Sequence, residues 1–455
     1  MKYPEDQFVV RGRDRFALGA DAARVSGVRT RAIVKVLSAW ARREPSILEA
    51  TRMPEPAEEG TLAEVEGASR AMGLAADDLL AARRIMESLA MPGCTNFGAV
   101  GTATEDRGVF TSWNFDVTPF FRLLFGRFPL FVREVEGKIP YLAHGIPALF
   151  GMGVMNGEGL TCVINAVGVT DDGEGLSPFE LNNIAMETCT RVSEAAKVFS
   201  EGPRKAVKAM TVGMLMNWNT TWADADGNLS LFEYSHSHFN EHDATRQATI
   251  ASANHHQFLD QALSGGMDPD SQPLIAGSYS RLARMYALLE EYRGRLGPKV
   301  AKEMVSDHIP DYSLLGEFGV EREWWQEKLD DSTICAHAWN VSKHLRQGHL
   351  NDAFMEAAFS TTVYSFQFQP HLMTSWFTDG HPCKNNTVPV YWGKHLGAEV
   401  ERYPGALEPE ELFGARRQTN RRLIFGREAA GMEGLMGRAW MAVVRAGERS
   451  NFNPY

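Results

Sequence analysis

The stretch Pro92-Gly93-Cys94-Thr95-Asn96-Phe97 sets a thiol directly after a glycine. A thiol is a strong nucleophile only as thiolate, and its ordinary pKa near ~8.5 leaves it mostly protonated at neutral pH. Something must therefore take its proton. The flanking signature of papain-like enzymes, where a distant His and Asn do this, is absent here. Scission of the peptide bond before Cys94 would supply another base, the residue's own α-amino group, whose ordinary pKa is about 7.7–8.0. Gly93 suits that scission because a residue without Cβ leaves its carbonyl open to the neighbouring thiol. An N-to-S acyl shift and hydrolysis of the thioester would then free Cys94. Taken alone, Gly-Cys is far more often a buried structural cysteine beside a turn glycine.

Other constellations compete. His236 and His238, with His242, His255 and His256 nearby, are the best metal candidates and would need Glu241 or Asp243 as a further ligand. No neighbouring Cys and no H-E-x-x-H motif supports them, and the expectation is no metal and no cofactor. Gly151-Met-Gly153 fails the dinucleotide fingerprint, since Asn156 holds the third glycine position and a hairpin follows rather than a helix. Phe115, Phe120, Phe121, Phe125, Phe128 and Phe131 would suit a pocket for an apolar acyl group, although core packing explains such a run more often.

The chain around these residues has 455 positions, 44% apolar and 23% charged, enough for a substantial core. A net charge of −11 argues against binding nucleic acid or an anionic membrane. No apolar run reaches the roughly 18 residues of a membrane span, and MKYPEDQF lacks the pattern of a secretory signal. The five cysteines (94, 162, 189, 335 and 383) contain no C-x-x-C pair, which points to a reducing cytoplasm.

Positioning elements follow from periodicity. Helical spacing predicts helices over 30–45, 62–72 and 77–89, so residues 1–93 read as a helical segment. Strand patterning begins after Gly93, with Val109–Asp116 and Leu130–Val135. Hairpins are expected around Asn156-Gly157, around Asp224-Ala-Asp-Gly227, and across Gln369-Pro370-His371. Further helices are expected over 178–200, 278–295 and 299–307, and a helical tail over 421–446. Strand runs punctuated by helical blocks favour antiparallel sheets packed with helices, an α+β fold.

Residues 60–385 resemble, motif after motif in order, the peptidase C45 family of acyl-coenzyme A:6-aminopenicillanic acid (isopenicillin N) acyltransferase-like proteins, which are N-terminal-nucleophile hydrolases. The resemblance is carried by Glu64-Val-Glu-Gly67-Ala-Ser-Arg-Ala-Met-Gly73, Asp77-Asp-Leu-Leu80, Gly93-Cys94-Thr95, Gly108 and Trp113-Asn114-Phe115-Asp116. It continues through Met155-Asn156-Gly-Glu-Gly159-Leu160, Val163-Ile-Asn165, Gly227…Glu233, Ser252-Ala-Asn254-His255, Ser280-Arg281 and Thr362…Phe377…Gly380-His-Pro382. Ala253 departs from the family's usual Thr before Asn-His.

That resemblance implies a four-layer αββα sandwich without cofactor, divided into a pro-segment (1–93), a catalytic domain (94–390) and a helical extension (391–455). It implies autocatalytic scission between Gly93 and Cys94, with the pro-segment staying bound as a partner. Cys94 would be the nucleophile, Asp116 a hydrogen-bond acceptor for the α-amino group or an orienter of substrate, and Asn254 the oxyanion donor. Asn165 would line the site, and Arg281, with Arg284 as its rival, would stabilise thiolate or bind a substrate carboxylate. The substrate would be a small acyl amide or acyl-coenzyme A, released to water or to an amine. The readings that compete are a non-catalytic binding relative with Cys94 uncleaved, and a His-bound metal hydrolase. The region beyond 391 is the candidate for self-association into a homo-oligomer.

Overall fold

Residues 8–43, 59–88, 93–117, 125, 129–208, 215–260, 273–311, 313–314, 333–336 and 362–412 are described by the structure, a computed structural model. The chain opens with a strand, β1 (Val9–Gly12), and a long helix, α1 (Arg15–Arg43), bent where Gly27 takes φ of 69°. The periodic stretch expected over 30–45 is only the second half of this helix. Two further helices follow, α2 (Glu59–Met72) and α3 (Ala76–Ser88), the latter with Asp77 and Asp78 in its first turn, where they complement the helix dipole. The segment expected to be wholly helical thus also carries a strand.

Strands then dominate: β2 (Thr95–Val100), β3 (Val109–Asp116), β4 (Leu130–Val135), β5 (Tyr141–Ile146), β6 (Phe150–Asn156) and β7 (Thr161–Val169). Asn156 makes the β6–β7 turn. Its Oδ1 accepts the N–H groups of Glu158 at 3.1 Å and Leu160 at 3.0 Å, while Gly159 takes φ of 82°. The helical block expected over 178–200 is two helices, α4 (Pro178–Thr188) and α5 (Val192–Glu201). Ser177 and Glu180 form a capping box at the start of α4, with Pro178 inside it.

After β8 (Val207–Lys208) come β9 (Leu215–Ala223) and β10 (Leu229–Tyr234), the expected hairpin, then β11 (Phe239–Asp243) and β12 (Thr249–Ser252). Helices α6 (Pro273–Glu291) and α7 (Pro298–Val305) precede the last strands, β13 (Thr362–Gln369), β14 (Thr374–Asp379) and β15 (Thr387–Tyr391), and the short α8 (Gly393–Leu396). The helix expected over 421–446 lies outside the described residues. Residues 391–412 do not stand apart: Trp392, Leu396, Ala406 and Leu412 are buried in the same core as the sheets.

Nine strands form one sheet, in the order β1-β4-β5-β6-β7-β9-β10-β11 with β8 on β9; six form the other, β12-β2-β3-β13-β14-β15. Neighbours are antiparallel except β1, which lies parallel to β4 and pairs Val9 with Val132. The sheets meet through β2 and β3 against β7 and β9. α1 and α4 pack on the larger sheet, α6 and α7 on the smaller, which gives the α+β arrangement of four layers, αββα. Beneath the amino-terminal helices lies a buried ion cluster. Glu64 of α2 receives two hydrogen bonds from Arg133 of β4, at 3.1 and 2.7 Å, with Arg83 and Arg15 beside it. Arg15 in turn pairs with Glu187 at the end of α4.

Candidate active site

Cys94 sits at the entry to β2, a strand whose six residues are all buried. The β2–β3 register pairs Thr95 with Asn114, which brings the Cys94 end of β2 beside the Asp116 end of β3. Gly93 lies so close to Asp116 that a Cβ at position 93 would stand 2.9 Å from the Asp116 carbonyl oxygen. The bond between Gly93 and Cys94 is therefore held against the residue that follows the Trp-Asn-Phe run. Only glycine fits there without displacing backbone.

Arg281 joins the pieces. It lies mid-helix in α6, fully buried, and its guanidinium donates to the Cys94 carbonyl, to Thr95 Oγ1 at 2.7 Å and to Asn254 Oδ1 at 2.8 Å. Arg284, one turn on, instead pairs with Asp307 at 2.8 Å, so of the two rivals Arg281 is the one at Cys94. Asn254 follows β12, where its N–H donates to Ser278 of α6 and its side-chain Nδ2 to the Ala166 carbonyl of β7, at 2.7 and 2.8 Å. Asn165 reaches from the larger sheet to Ser252 Oγ of the smaller one at 2.7 Å, leaving its buried Oδ1 without a hydrogen-bond partner. Asp116 accepts a 2.6 Å hydrogen bond from Thr362 through Oδ1, and its buried Oδ2 has no partner among the described residues.

The electrostatics follow from burial. Desolvation, with the nearby Asp116 charge adding to it, pushes the Cys94 thiol up to about 12. Desolvation also lifts Asp116 to about 7, against the pull of Arg281 and of the Thr362 hydrogen bond. Burial lowers Arg281 from its ordinary range, although Asp116 and Cys94 favour its charge. Near neutrality the resting cluster is a neutral thiol, a carboxyl poised between its two states and one guanidinium.

Beside Cys94 lies a small apolar cavity of about 30 Å³, lined by Met86, Trp113, Phe115, Phe125, Phe179 and Trp218 among others. That is room for little more than water. Two of the six phenylalanines in the aromatic run, Phe115 and Phe125, line it; Phe131 belongs to the core, and Phe120, Phe121 and Phe128 lie outside the described residues. Sequence reasoning missed Met86, which α3 brings in from the segment before Cys94, and Ser278, which holds both the Asn254 N–H and His255 Nδ1 at 2.7 Å. A methionine on an apolar helix face carries no signal of such a role.

The histidines do not gather. His236 and His238 fall in the connection between β10 and β11. Burial holds His255 down to about 3, with Arg281 and His256 adding to the effect; His255 stacks on Tyr279 with ring centroids 3.7 Å apart. Among the described residues no helix is long and apolar enough to cross a membrane.

A layered αββα frame with a cysteine at the head of a central strand defines the class of N-terminal-nucleophile folds. Within it, residues 146–315 match the sequence model of the acyl-coenzyme A:6-aminopenicillanic acid acyl-transferase family, the family that the motifs resemble. The match covers 170 of the 455 residues and points to an enzyme of the acyltransferase kind. Similar solved structures include penicillin V acylase from Agrobacterium tumefaciens, 13% identical, covering 66% of this chain and 87% of that one at a TM-score of 0.35. A variant of conjugated bile acid hydrolase from Clostridium perfringens is 10% identical, covering 69% and 98% of the two chains at a TM-score of 0.34. A search of curated proteins finds no match.

Proposed function

We propose that this chain is a self-processing amidohydrolase or acyltransferase in which Cys94, freed at a new amino terminus, carries the acyl group. The observation that carries this reading is the close approach of Gly93 to Asp116, with the Cys94 carbonyl held by Arg281 on the other side. In the first step Cys94 Sγ attacks the Gly93 carbonyl carbon. The C–N bond breaks, a thioester forms and the Cys94 nitrogen becomes an amine. Water then hydrolyses the thioester, returning the thiol and leaving Gly93 as a carboxylate. The precursor has no α-amino group at Cys94 to take the thiol proton. Asp116, with its pKa raised to about 7, is suited to accept it at neutral pH.

Once freed, the α-amino group takes over as base. Cys94 Sγ attacks the substrate carbonyl, the amine leaves with the proton, and a thioester remains until water or an acceptor amine cleaves it. Asn254, already oriented by Arg281, is the side-chain donor for the tetrahedral oxyanion; such donors contribute about 10²–10³-fold in rate. Asn165 positions the β12 end through Ser252, and Arg281 fixes Cys94 and Asn254 relative to each other. The side chains around Cys94 are apolar, which suits an uncharged acyl group on a small amide or coenzyme A thioester once they part to admit it. The pro-segment stays attached as a partner through the β1–β4 pairing and the Glu64–Arg133 bonds. Exclusion of water from the site divides hydrolysis from transfer.

Intact mass spectrometry tests the reading. The expected result is two fragments meeting between Gly93 and Cys94, an acyl adduct confined to the Cys94 fragment, and neither in Cys94→Ala. Full turnover by an uncut chain, or by Cys94→Ala, overturns it.

A further inference from the structure

Two thiols and an imidazole converge outside the cluster that holds Cys94. His308 follows α7, Cys335 lies in the short segment 333–336, and Cys383 lies in the connection between β14 and β15. One ligand atom from each falls within 4.8 Å of the other two. They come from three stretches of chain separated by 27 and 48 residues, so the fold and not local sequence brings them together. Two sulfurs and an imidazole are the donor set that prefers zinc over the hard cations. We propose that His308, Cys335 and Cys383 bind a single zinc ion, with water in the fourth position, as a structural clip.

The geometry needs little adjustment. Zinc–sulfur bonds of about 2.3 Å and zinc–nitrogen bonds of about 2.0–2.1 Å place tetrahedral ligands roughly 3.5–3.8 Å apart. With every separation within 4.8 Å, a contraction of at most about 1 Å by side-chain rotation closes the cluster. Cys383 and His308 are exposed and give the ion a way in, whereas Cys335 is buried and forms the floor. Lys302 of α7 stands beside both sulfurs and donates to the carbonyls of Pro382 and Asn385. Its charge favours thiolates, and its bonds hold the Cys383 loop in place. Asp307, His381 and Lys384 are the other charged or titratable groups facing His308.

What such an ion would secure is visible in the hydrogen bonds. The Cys335 N–H donates to the Asp307 carbonyl at 3.1 Å, and the Ala336 N–H donates to Thr362 Oγ1 at 2.9 Å. That same hydroxyl donates to Asp116. Asn114 Nδ2 reaches the Val305 and Ile334 carbonyls at 3.0 and 2.9 Å. The ion therefore ties the segment behind Asp116 to α7 and to the β14–β15 connection, and takes no part in the reaction at Cys94.

The test uses the full chain, reduced and stripped of metal with a chelator, then titrated with Zn²⁺ or Co²⁺ alone. The expected result is one equivalent per chain, with a cobalt–thiolate charge-transfer band. Cys335→Ser and Cys383→Ser should each weaken binding by more than the roughly 10–100-fold that losing an outer partner costs. Cys94→Ala should still bind one equivalent, which separates this proposal from the fate of the catalytic reading. Should Cys335→Ser fail to fold, the exposed Cys383→Ser and His308→Ala carry the test. Substoichiometric binding under reducing conditions, a cobalt spectrum without the thiolate band, or undiminished affinity in Cys383→Ser overturns it.

Discussion

Two of the buried carboxylates that lie near arginines, Glu64 and Asp116, end in opposite states. Glu64 pays the desolvation cost of burial, but Arg133, Arg83 and Arg15 together outweigh it and hold it down to about 2. Asp116 feels the charge of Arg281 without a hydrogen bond from it, receives one bond from Thr362, and is lifted by burial to about 7. The difference is in how many donors touch the oxygens. A carboxylate surrounded by guanidinium groups is fixed in its charge and serves as a fastener. One with an unpartnered buried oxygen beside a thiol can still change its proton, which a base requires.

The largest effect should come from Asp116→Asn. Loss of a positioned base costs about 10²–10⁴-fold in rate, so processing and turnover should fall by that order while the fold persists. Stability against pH gives a second reading. A carboxyl raised in the folded state binds its proton more tightly there than in the unfolded chain. Asp116 therefore makes stability fall as pH rises from about 4 to about 7, and urea titrations of Asp116→Asn should lack that slope. If the variant keeps both its rate and the slope, the contrast with Glu64 fails.

Glu64→Gln should do the reverse. Removing one member of a buried pair strands the other charge, at a cost of roughly 3–5 kcal/mol in stability, with little change in rate per folded molecule. Glu64 has a depressed pKa, so its contribution is present above about 4.5 and is lost as pH falls towards about 2. Acid unfolding monitored by circular dichroism should show the wild type losing this support in that window and the variant having none to lose.

Met86→Ala sharpens the contrast at a smaller scale, because Met86 belongs to the amino-terminal segment yet lines the cavity beside Cys94. A stability loss of about 2 kcal/mol is expected, near the low end for such truncations. A series of acyl chain lengths should show the preferred chain growing longer. An unchanged preference would mean that this segment fastens the sheet without shaping the pocket.

Much of the frame was legible because its signals are local. Asn156-Gly157 and Asp224…Gly227 fold as the hairpins their turn residues demand, and β3 and β4 match the alternating stretches. β2 and β5 escaped because both are short and interrupted, β2 by Gly98 and β5 by His144 and Gly145, so neither presents a run of strand-forming residues. β1 is too short to stand out from the helix that follows. At the site, the order of motifs pointed to Cys94, Asp116, Asn254 and Arg281, and the fold brings them into one cluster. It could not separate Arg281 from Arg284, since that choice rests on which face of α6 meets β2. The reach of Asn165 through Ser252, and the part played by Met86, depend on contacts between distant segments that no local pattern encodes.

The parallel ladder between Val9–Gly12 and Val132–Val135 also sets an order of events during synthesis. During synthesis β1 finds its neighbour only after about 120 further residues have followed it. Until then its hydrogen-bonding edge stays open, and the helices behind it have no sheet to rest on. On the proposed processing, a cut at Cys94 made before that pairing would set the leading fragment adrift, so assembly would have to precede it.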